Sequence, residues 1–231
     1  MRKLDDLQLI SDLLSKHNLL SIFGEEHLDQ FHLYAPKKGE IVCSDGDQLE
    51  ELLFLVQGRV KISTALPNGK SLLLRFNNPL SIIGEVEFVT RRMARNTVQC
   101  VTDCLLIGIN FNLLHEHYKH NPDFLQYIIH HLAHRLYSST NASSLNLLTR
   151  VENRFASFLL SLTTSSSGTF EEEIKTENLV ETAELLGTSY RHLNRVINDL
   201  IEKEIIEKRG GLILAKNIKK LEELAGGIKY E

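Results

Sequence analysis

The segment 179–206, LVETAELLGTSYRHLNRVINDLIEKEII, constrains this chain more than any other stretch. Its apolar residues recur at helical spacing in two blocks separated by a glycine and a serine. In the first block Val180, Ala183 and Leu186 are expected on one face, ending at Gly187, where glycine takes a left-handed backbone without steric cost. In the second, Ser189 stands where a helix cap belongs, and Leu193, Val196, Ile197, Leu200 and Ile201 face inward. Tyr190, Arg191, His192, Asn194 and Arg195 are left pointing elsewhere, all near the N-terminal end. Two short helices joined by a three-residue turn make a helix-turn-helix, whose second helix meets base edges with its N-terminal residues. Arg and Asn are the side chains that pair bidentately with guanine and adenine there. An ordinary helical hairpin with solvated Arg and His competes with this account, and the residues after Ile206 count against it. EKRGGLILAK reads as two short strands about Gly210-Gly211, a wing with Lys208 and Arg209 at its tip to add phosphate contacts.

The chain of 231 residues is long enough for two modest domains. With 42% hydrophobic and 24% charged residues and a net charge of -4, it has no basic excess with which to coat a polyanion blindly. Contact with DNA must be local and strongly salt-dependent. No apolar run approaches a bilayer span, and the N-terminal MRKLDDLQLISDLL carries acids, so a cytoplasmic protein without a membrane partner is expected. Cys43, Cys100 and Cys104 are an odd set with no close zinc-type pair, which argues against a disulfide framework or a structural metal. Cys100 and Cys104 bracket an expected turn at Thr102-Asp103 and form a candidate redox pair, although buried inert thiols are the simpler expectation.

Residues 4–23 read as a short helical N-terminal segment, and from about Leu33 brief strands begin. Gly39, Gly46, Gly58, Gly69 and Gly84 separate IVCS, LLFLVQ, RVKISTAL and SLLLRF, a pattern that suits a compact antiparallel barrel or roll. PNGK at 67–70 is the clearest hairpin turn, and TVQCVT with CLLIGI closes the strand region near Asn110. From Asn121, a cap followed by Pro122, the period becomes helical. Leu125, Ile129, Leu132, Leu136, Ser139 and Ser143 follow in steps of four and three, a heptad seam on a helix reaching about Leu148. Such a seam asks for a partner helix, most simply that of a second copy, so a homodimer is expected; packing on the chain's own roll is the alternative. A second helical run, TRVENRFASFLLSL, leads to TTSSSGTFEEE, read as a loop. The expected fold is α+β: an N-terminal antiparallel roll as sensor over 1–120, a dimerisation helix over 121–148 and a winged helix-turn-helix over 149–231.

In this order the chain resembles the CRP/FNR family of bacterial transcription regulators over essentially its full length. KKGEIVCSDGDQLEELLFLVQGRVKI is similar to the family's first roll strands, NPDFLQYIIHHLAHRL to its dimerisation helix, and LLGTSYRHLNRVINDL to its recognition region. SYRHLNRV is similar in particular to the YeiL-like branch. The resemblance implies a homodimer on a palindromic operator in double-stranded DNA, with RNA polymerase as a further partner. It also implies that Ser189, Tyr190, Arg191, His192, Asn194 and Arg195 face the DNA, Arg195 matching a basic position that contacts the operator.

Cyclic-nucleotide-binding members of the family share a phosphate cassette, to which IIGEVEFVTRRMARNT is similar, with Gly84, Glu85 and Arg95 at matching spacing. The resemblance implies backbone near Gly84 and the Arg95 guanidinium on a phosphate, Glu85 on a ribose hydroxyl, and Ser139 with Thr140 on a base. Two departures count against a cyclic nucleotide: Glu87 replaces a small residue near the phosphate, and Asn96 replaces the hydroxyl that follows the arginine. The expectation is a retained but empty cassette with Arg95 in an internal ion pair, a cyclic-nucleotide-dependent regulator being the alternative. The family's iron-sulfur branch uses four cysteines and this chain has three, so no cluster is expected.

HEHYKH at 115–120 and the pair His130 and His134 invite a metal, but no Glu or Cys along residues 121–148 completes the pair, so a polar helix flank is expected. Cupin enzymes also use such rolls, with metal held by strand histidines; none lies between His32 and His115. No nucleophile motif or phosphate-binding loop of the Walker type is present, and catalysis is not expected. A ligand-sensing adaptor acting through protein contacts alone would need Arg191, Asn194 and Arg195 to be vestigial.

Overall fold

The structure is a computed structural model that describes residues 1–65, 71–162, 174–175, 178–227 and 229–230. The expected turn at 67–70 and the segment 163–173 lie outside the described residues. The chain divides into two compact units, Met1–Thr64 with Phe76–Tyr137, and Ala65–Arg75 with Ser138–Glu231.

The first unit opens with β1 (Lys3–Leu4), α1 (Leu7–Lys16) and α2 (Leu20–Phe23). Strands then dominate: β2 (Phe31–Tyr34), β3 (Ile41–Cys43), β4 (Glu51–Gln57), β5 (Val60–Ala65), β6 (Ser71–Asn77), of which residues 71–75 count with the second unit, and β7 (Ser81–Ile83). A short α3 (Glu85–Thr90) precedes β8 (Thr97–Cys100) and β9 (Leu105–Asn110), and α4 (Phe111–Leu113) runs into a π-helical turn at Leu114–Tyr118. These strands form two sheets, β1-β2-β9-β4-β7 and β3-β8-β5-β6, and every pairing described is antiparallel. The expected roll is therefore present. The sequence did not single out β1, β7, α3 or α4, elements of two to six residues that are too short to show a period.

β4 carries the core. Leu52 through Val56 are all buried, because a strand covered on both faces has no polar alternation. Phe54 and Ile107 are paired across β4 and β9. Phe23 closes one end of the unit, its ring 5.5, 5.6 and 5.1 Å from those of Phe31, Phe54 and Tyr118 in edge-on arrangements. Gly58, at φ 86°, permits the closest backbone approach: an added Cβ would lie 2.4 Å from the Asp103 carbonyl oxygen.

The long helix is α5 (Pro122–Leu148). Asn121 caps it as expected, its Oδ1 accepting from the backbone N–H groups of Asp123 and Phe124 at 2.9 and 3.1 Å. Phe124 and Ile128 drop into the roll core. Leu125, Ile129 and Leu136 face away from it, 40%, 58% and 71% exposed. Leu132, which the expected seam also includes, is half-buried against the roll core, so the seam is not a face separate from the core along its whole length.

The second unit continues from the end of α5 with α6 (Val151–Ser161), β10 (Ile174–Lys175), α7 (Leu179–Leu185), α8 (Tyr190–Glu202), β11 (Ile206–Arg209), β12 (Leu212–Ala215) and α9 (Ile218–Ala225). β10, β12 and β11 form a three-stranded antiparallel sheet in that order. One expectation on α7 is corrected. Val180 is 55% exposed, and the buried face is Leu179, Thr182, Ala183, Leu185 and Leu186. Leu179 takes the inward position and sets the phase of the two turns that follow, which turns Val180 outward.

Candidate nucleic-acid interface

α7 ends at Gly187, whose φ of 63° is left-handed. Ser189 has extended backbone, and its Oγ accepts from the His192 backbone N–H at 3.2 Å, the N-cap expected for α8. Leu193, Val196, Ile197 and Leu200 are buried, which fixes the rotation of the helix about its axis. Tyr190, Arg191 and Arg195 are consequently exposed, with His192 and Asn194 half-buried beside them. Among the described residues neither Arg191 nor Arg195 is held in an ion pair, so both guanidinium groups remain available to an outside acceptor.

β11 and β12 pair Arg209 with Leu212, leaving Gly210 and Gly211 as a two-residue loop at φ 58° and 80°. Two successive positive φ values are what a tight hairpin reversal demands, and glycine supplies both. Lys208 and Arg209 are exposed on this wing. Lys208 Nζ donates to Asn194 Oδ1 at 3.5 Å, which puts the wing cation beside the polar end of α8.

The structure adds residues that the sequence did not signal. A cavity of about 360 Å³ is lined by Arg150 and Arg154 together with His192, Arg195 and Asp199. Arg154 Nη1 donates to the Thr149 carbonyl at 2.7 Å and its Nε to the Leu186 carbonyl at 3.1 Å. One side chain thereby ties the junction of α5 and α6 to the end of α7. Its acceptors are backbone groups, one of them thirty-two residues away, so no sequence pattern marks the pair.

In the roll, the cassette residues do not assemble as expected. Gly84 has φ 100° and starts α3, which places Glu85 in the core at 3% exposure. Glu85 Oε1 accepts from Arg135 Nη1 of α5 at 2.5 Å. Asn96, with its amide turned so that both ends are satisfied, accepts from Arg135 Nη2 at 3.2 Å and donates to the Arg95 carbonyl at 3.1 Å. The internal ion pair expected for Arg95 belongs to Arg135. The Arg95 side chain is 84% exposed, and among the described residues the carboxylate it reaches is that of Asp45, at 3.7 Å. Ser139 and Thr140 lie farther along α5 in the second unit.

Glu87 is buried, and that burial raises its carboxyl above the ordinary range, with Arg135 acting in the opposite sense. Glu87 lines a cleft of about 370 Å³ outside α3, where Glu50 and Arg91 also stand.

Cys43, Cys100 and Cys104 are all buried free thiols. Cys104 Sγ donates to the carbonyls of Arg59 and Thr102, both at 3.3 Å. The hydrogen bond that Cys100 shares with Cys104, and burial, push the Cys100 thiol up. Among the described residues no group of three or more His, Cys, Asp or Glu is arranged to hold a metal ion, and no helix is long and apolar enough to cross a membrane.

The comparisons with known proteins follow the same division. Residues 36–121 match the cyclic nucleotide-binding domain family, and residues 153–224 match the Crp-like helix-turn-helix domain family. The chain is 29% identical over 199 residues to regulatory protein YeiL of Escherichia coli O157:H7, covering 84% of each. It is 24% identical over 190 residues to a CRP-like cAMP-activated global transcriptional regulator of Mycobacterium tuberculosis, covering 80% of this chain and 84% of that protein. Among solved structures it is similar in fold to a transcriptional regulator of the CRP/FNR family from Eubacterium rectale, with a TM-score of 0.75 at 19% identity, covering 95% of this chain and 94% of the other. A CRP-family transcriptional regulator from Thermus thermophilus gives a TM-score of 0.69 at 19% identity, covering 86% of this chain and 98% of the other. With a cyclic-nucleotide-binding domain ahead of a Crp-like helix-turn-helix, and with relatives of both the YeiL and CRP kinds, the chain belongs to the CRP/FNR family of DNA-binding transcription regulators.

Proposed function

We propose that the protein acts in the cytoplasm as a homodimer on a palindromic operator. In this reading residues 1–120 are the sensor, 121–148 the dimerisation helix and 149–231 the reading domain. The observation that carries it is α8, capped by Ser189 and carrying Arg191 and Arg195 exposed and outside any ion pair among the described residues. Arg191, Asn194 and Arg195 read base edges, while Ser189, Tyr190 and His192 complete the surface at the helix end. Lys208 and Arg209 on the wing hold phosphates and fix register. Support for the dimer comes from Leu125, Ile129 and Leu136, a row of exposed apolar side chains at steps of four and seven on a helix whose other face is already buried. Contact with RNA polymerase accompanies this role.

DNA binding in this reading does not require a cyclic nucleotide. Glu85, the carboxylate that would meet a ribose, is engaged by Arg135, and Arg95 stands out in solvent. The test is selection from a random DNA pool with purified protein, with and without cyclic AMP at fixed salt. A palindrome recovered equally in both arms is the expected result. Recovery only with the nucleotide would return the cassette to service, and recovery of no sequence in either arm would defeat the operator assignment.

A further inference from the structure

Buried polar side chains are held in place by directional bonds that an apolar contact cannot imitate, and they restrict how two elements meet. In the second unit the buried Ser157, Ser161 and Tyr230 lie along α6, together with the half-buried Asn146 in the last turns of α5. Tyr230, beyond α9, is 1% exposed. Its backbone N–H donates to Ser161 Oγ at 2.8 Å, and its Oη donates to Asn146 Oδ1 at 3.0 Å. Ser161 Oγ donates onward to the Ser157 carbonyl at 2.8 Å. Asn146 lies in the last turns of α5, whereas Ser157 and Ser161 lie on α6. One residue therefore bonds to both sides of a junction that has only residues 149 and 150 between its helices.

The surroundings make this more than a well-packed terminus. α9 is fastened to α6 by Asn153 Nδ2, which donates to the Leu224 carbonyl at 2.7 Å, so the segment carrying Tyr230 moves with α6. Arg154 ties α6 to the end of α7, directly before α8. α6, α7, α8 and α9 thus form one head, and the Tyr230 hydroxyl is a bond from that head back to α5. Among the described residues Asn146 Nδ2 and Ser157 Oγ are buried without a partner in the same region, which a junction selected for stability alone would replace with apolar side chains.

We infer that Tyr230 is a positioning residue for DNA recognition: through Ser161 and Asn146 it holds the α6–α9 head at one angle to α5, and so selects the separation of operator half-sites that a dimer accepts. The inference rests on the homodimer and palindrome proposed above. Loss of the hydroxyl leaves the ring buried but frees the angle, and two heads with a free angle tolerate half-sites that are too close or too far apart.

The experiment measures affinity for palindromes whose central spacer is the selected length, or one or two base pairs shorter or longer. The parent is expected to favour one spacer by about tenfold or more, and Tyr230→Phe to narrow that preference to about threefold. A double variant, Tyr230→Phe with Asn146→Leu, removes the stranded amide; its Tm returns toward the parent's while the preference stays narrow. A Tyr230→Phe protein with the parent's full preference overturns the inference, as does a double variant that regains preference along with Tm. Spin labels at Leu147 on α5, off the seam, and Asn198 on α8, both exposed, give a second readout that needs no DNA. The parent is expected to show one narrow distance and Tyr230→Phe a broader one; an unchanged distribution also overturns the inference, whether or not a palindrome is bound.

Discussion

Arg135, which α5 sends against the cassette of the roll, and Arg195, at the N-terminal end of α8, are treated in opposite ways. Arg135 is drawn inward, its guanidinium shared between the buried Glu85 and Asn96. Arg195 is left outward, with its helix anchored by Leu193, Val196, Ile197 and Leu200 and its own charge in no ion pair among the described residues. A charge committed to an internal partner contributes to the fold, whereas one held on a rigid support in solvent contributes to recognition. In the proposed reading a signal meets the two unequally: α8 already presents its arginine to solvent, whereas a change at the cassette must first separate the buried pair of Arg135 and Glu85.

The largest effect that could break this comparison is on stability. Arg135→Ala strands the Glu85 carboxylate in the core and is expected to destabilise the protein by about 3–5 kcal/mol, because a buried charge loses its counter-ion. Denaturant unfolding checks it, and replacing both partners, Glu85→Leu with Arg135→Met, should recover most of the loss. A single variant as stable as the parent would mean that Arg135 does not support the core at all. The next effect falls on binding. Arg195→Ala is expected to weaken operator affinity by about 1–3 kcal/mol and to relax selectivity at the base it faces, with unfolding unchanged. Equal loss on operator and random DNA would demote Arg195 to a phosphate contact.

The two regions also differ in how far the sequence revealed them. α8 was legible because its signals are local: a glycine to end one helix, a serine to cap the next, and thirteen residues of amphipathic period. The wing was legible for the same reason, since Gly210-Gly211 dictates its turn. Val180 was misplaced because a seven-residue helix has room for two apolar phases, and Leu179 settled the choice by packing. Arg135 was passed over because its partner is fifty residues away, and nothing in the spacing of either segment joins them. The residue that the motif pointed to, Arg95, has the matching position without the matching environment. Tyr230 and Arg154 share that limit, since both act through acceptors on remote elements.

A moderate effect is expected from pH, and it sharpens the view that the α5 side of the roll is closed. Burial, aided by the charge of His130, pushes the His131 imidazole down to about 4. The ring lies 4.4 Å from that of Tyr127, whose buried hydroxyl has no partner among the described residues. In the unfolded chain His131 takes its proton at about 6.5, so between that value and 4 the unfolded state binds more protons. Stability is therefore present above about pH 6.5 and is lost as pH falls toward 4. Glu87 works the other way, because a raised folded-state carboxyl favours the folded form as pH falls. Melting at about pH 7 and about pH 5 should show a smaller drop for His131→Phe than for the parent; equal drops would assign the titration elsewhere.

The smallest effect tests the comparison from the side of the cassette. Arg95 lies in the position that a phosphate-binding arginine would hold, yet its side chain is largely in solvent and its contact with Asp45 is a loose 3.7 Å. Exposed pairs of this kind contribute on the order of 0–1 kcal/mol, since water screens the charges and two side chains must be ordered to form them. Arg95→Ala should thus unfold within about 0.5 kcal/mol of the parent and bind the selected operator equally well, with or without cyclic AMP. Arg135→Ala, a few ångströms of side chain away through Asn96, is expected to do neither. If Arg95→Ala instead lost operator binding while keeping its stability, the exposed arginine would be a ligand contact after all. The inward pair of Arg135 and Glu85 would then be one wall of a working pocket, and the contrast between a committed cassette and a free reading helix would fail at its first term.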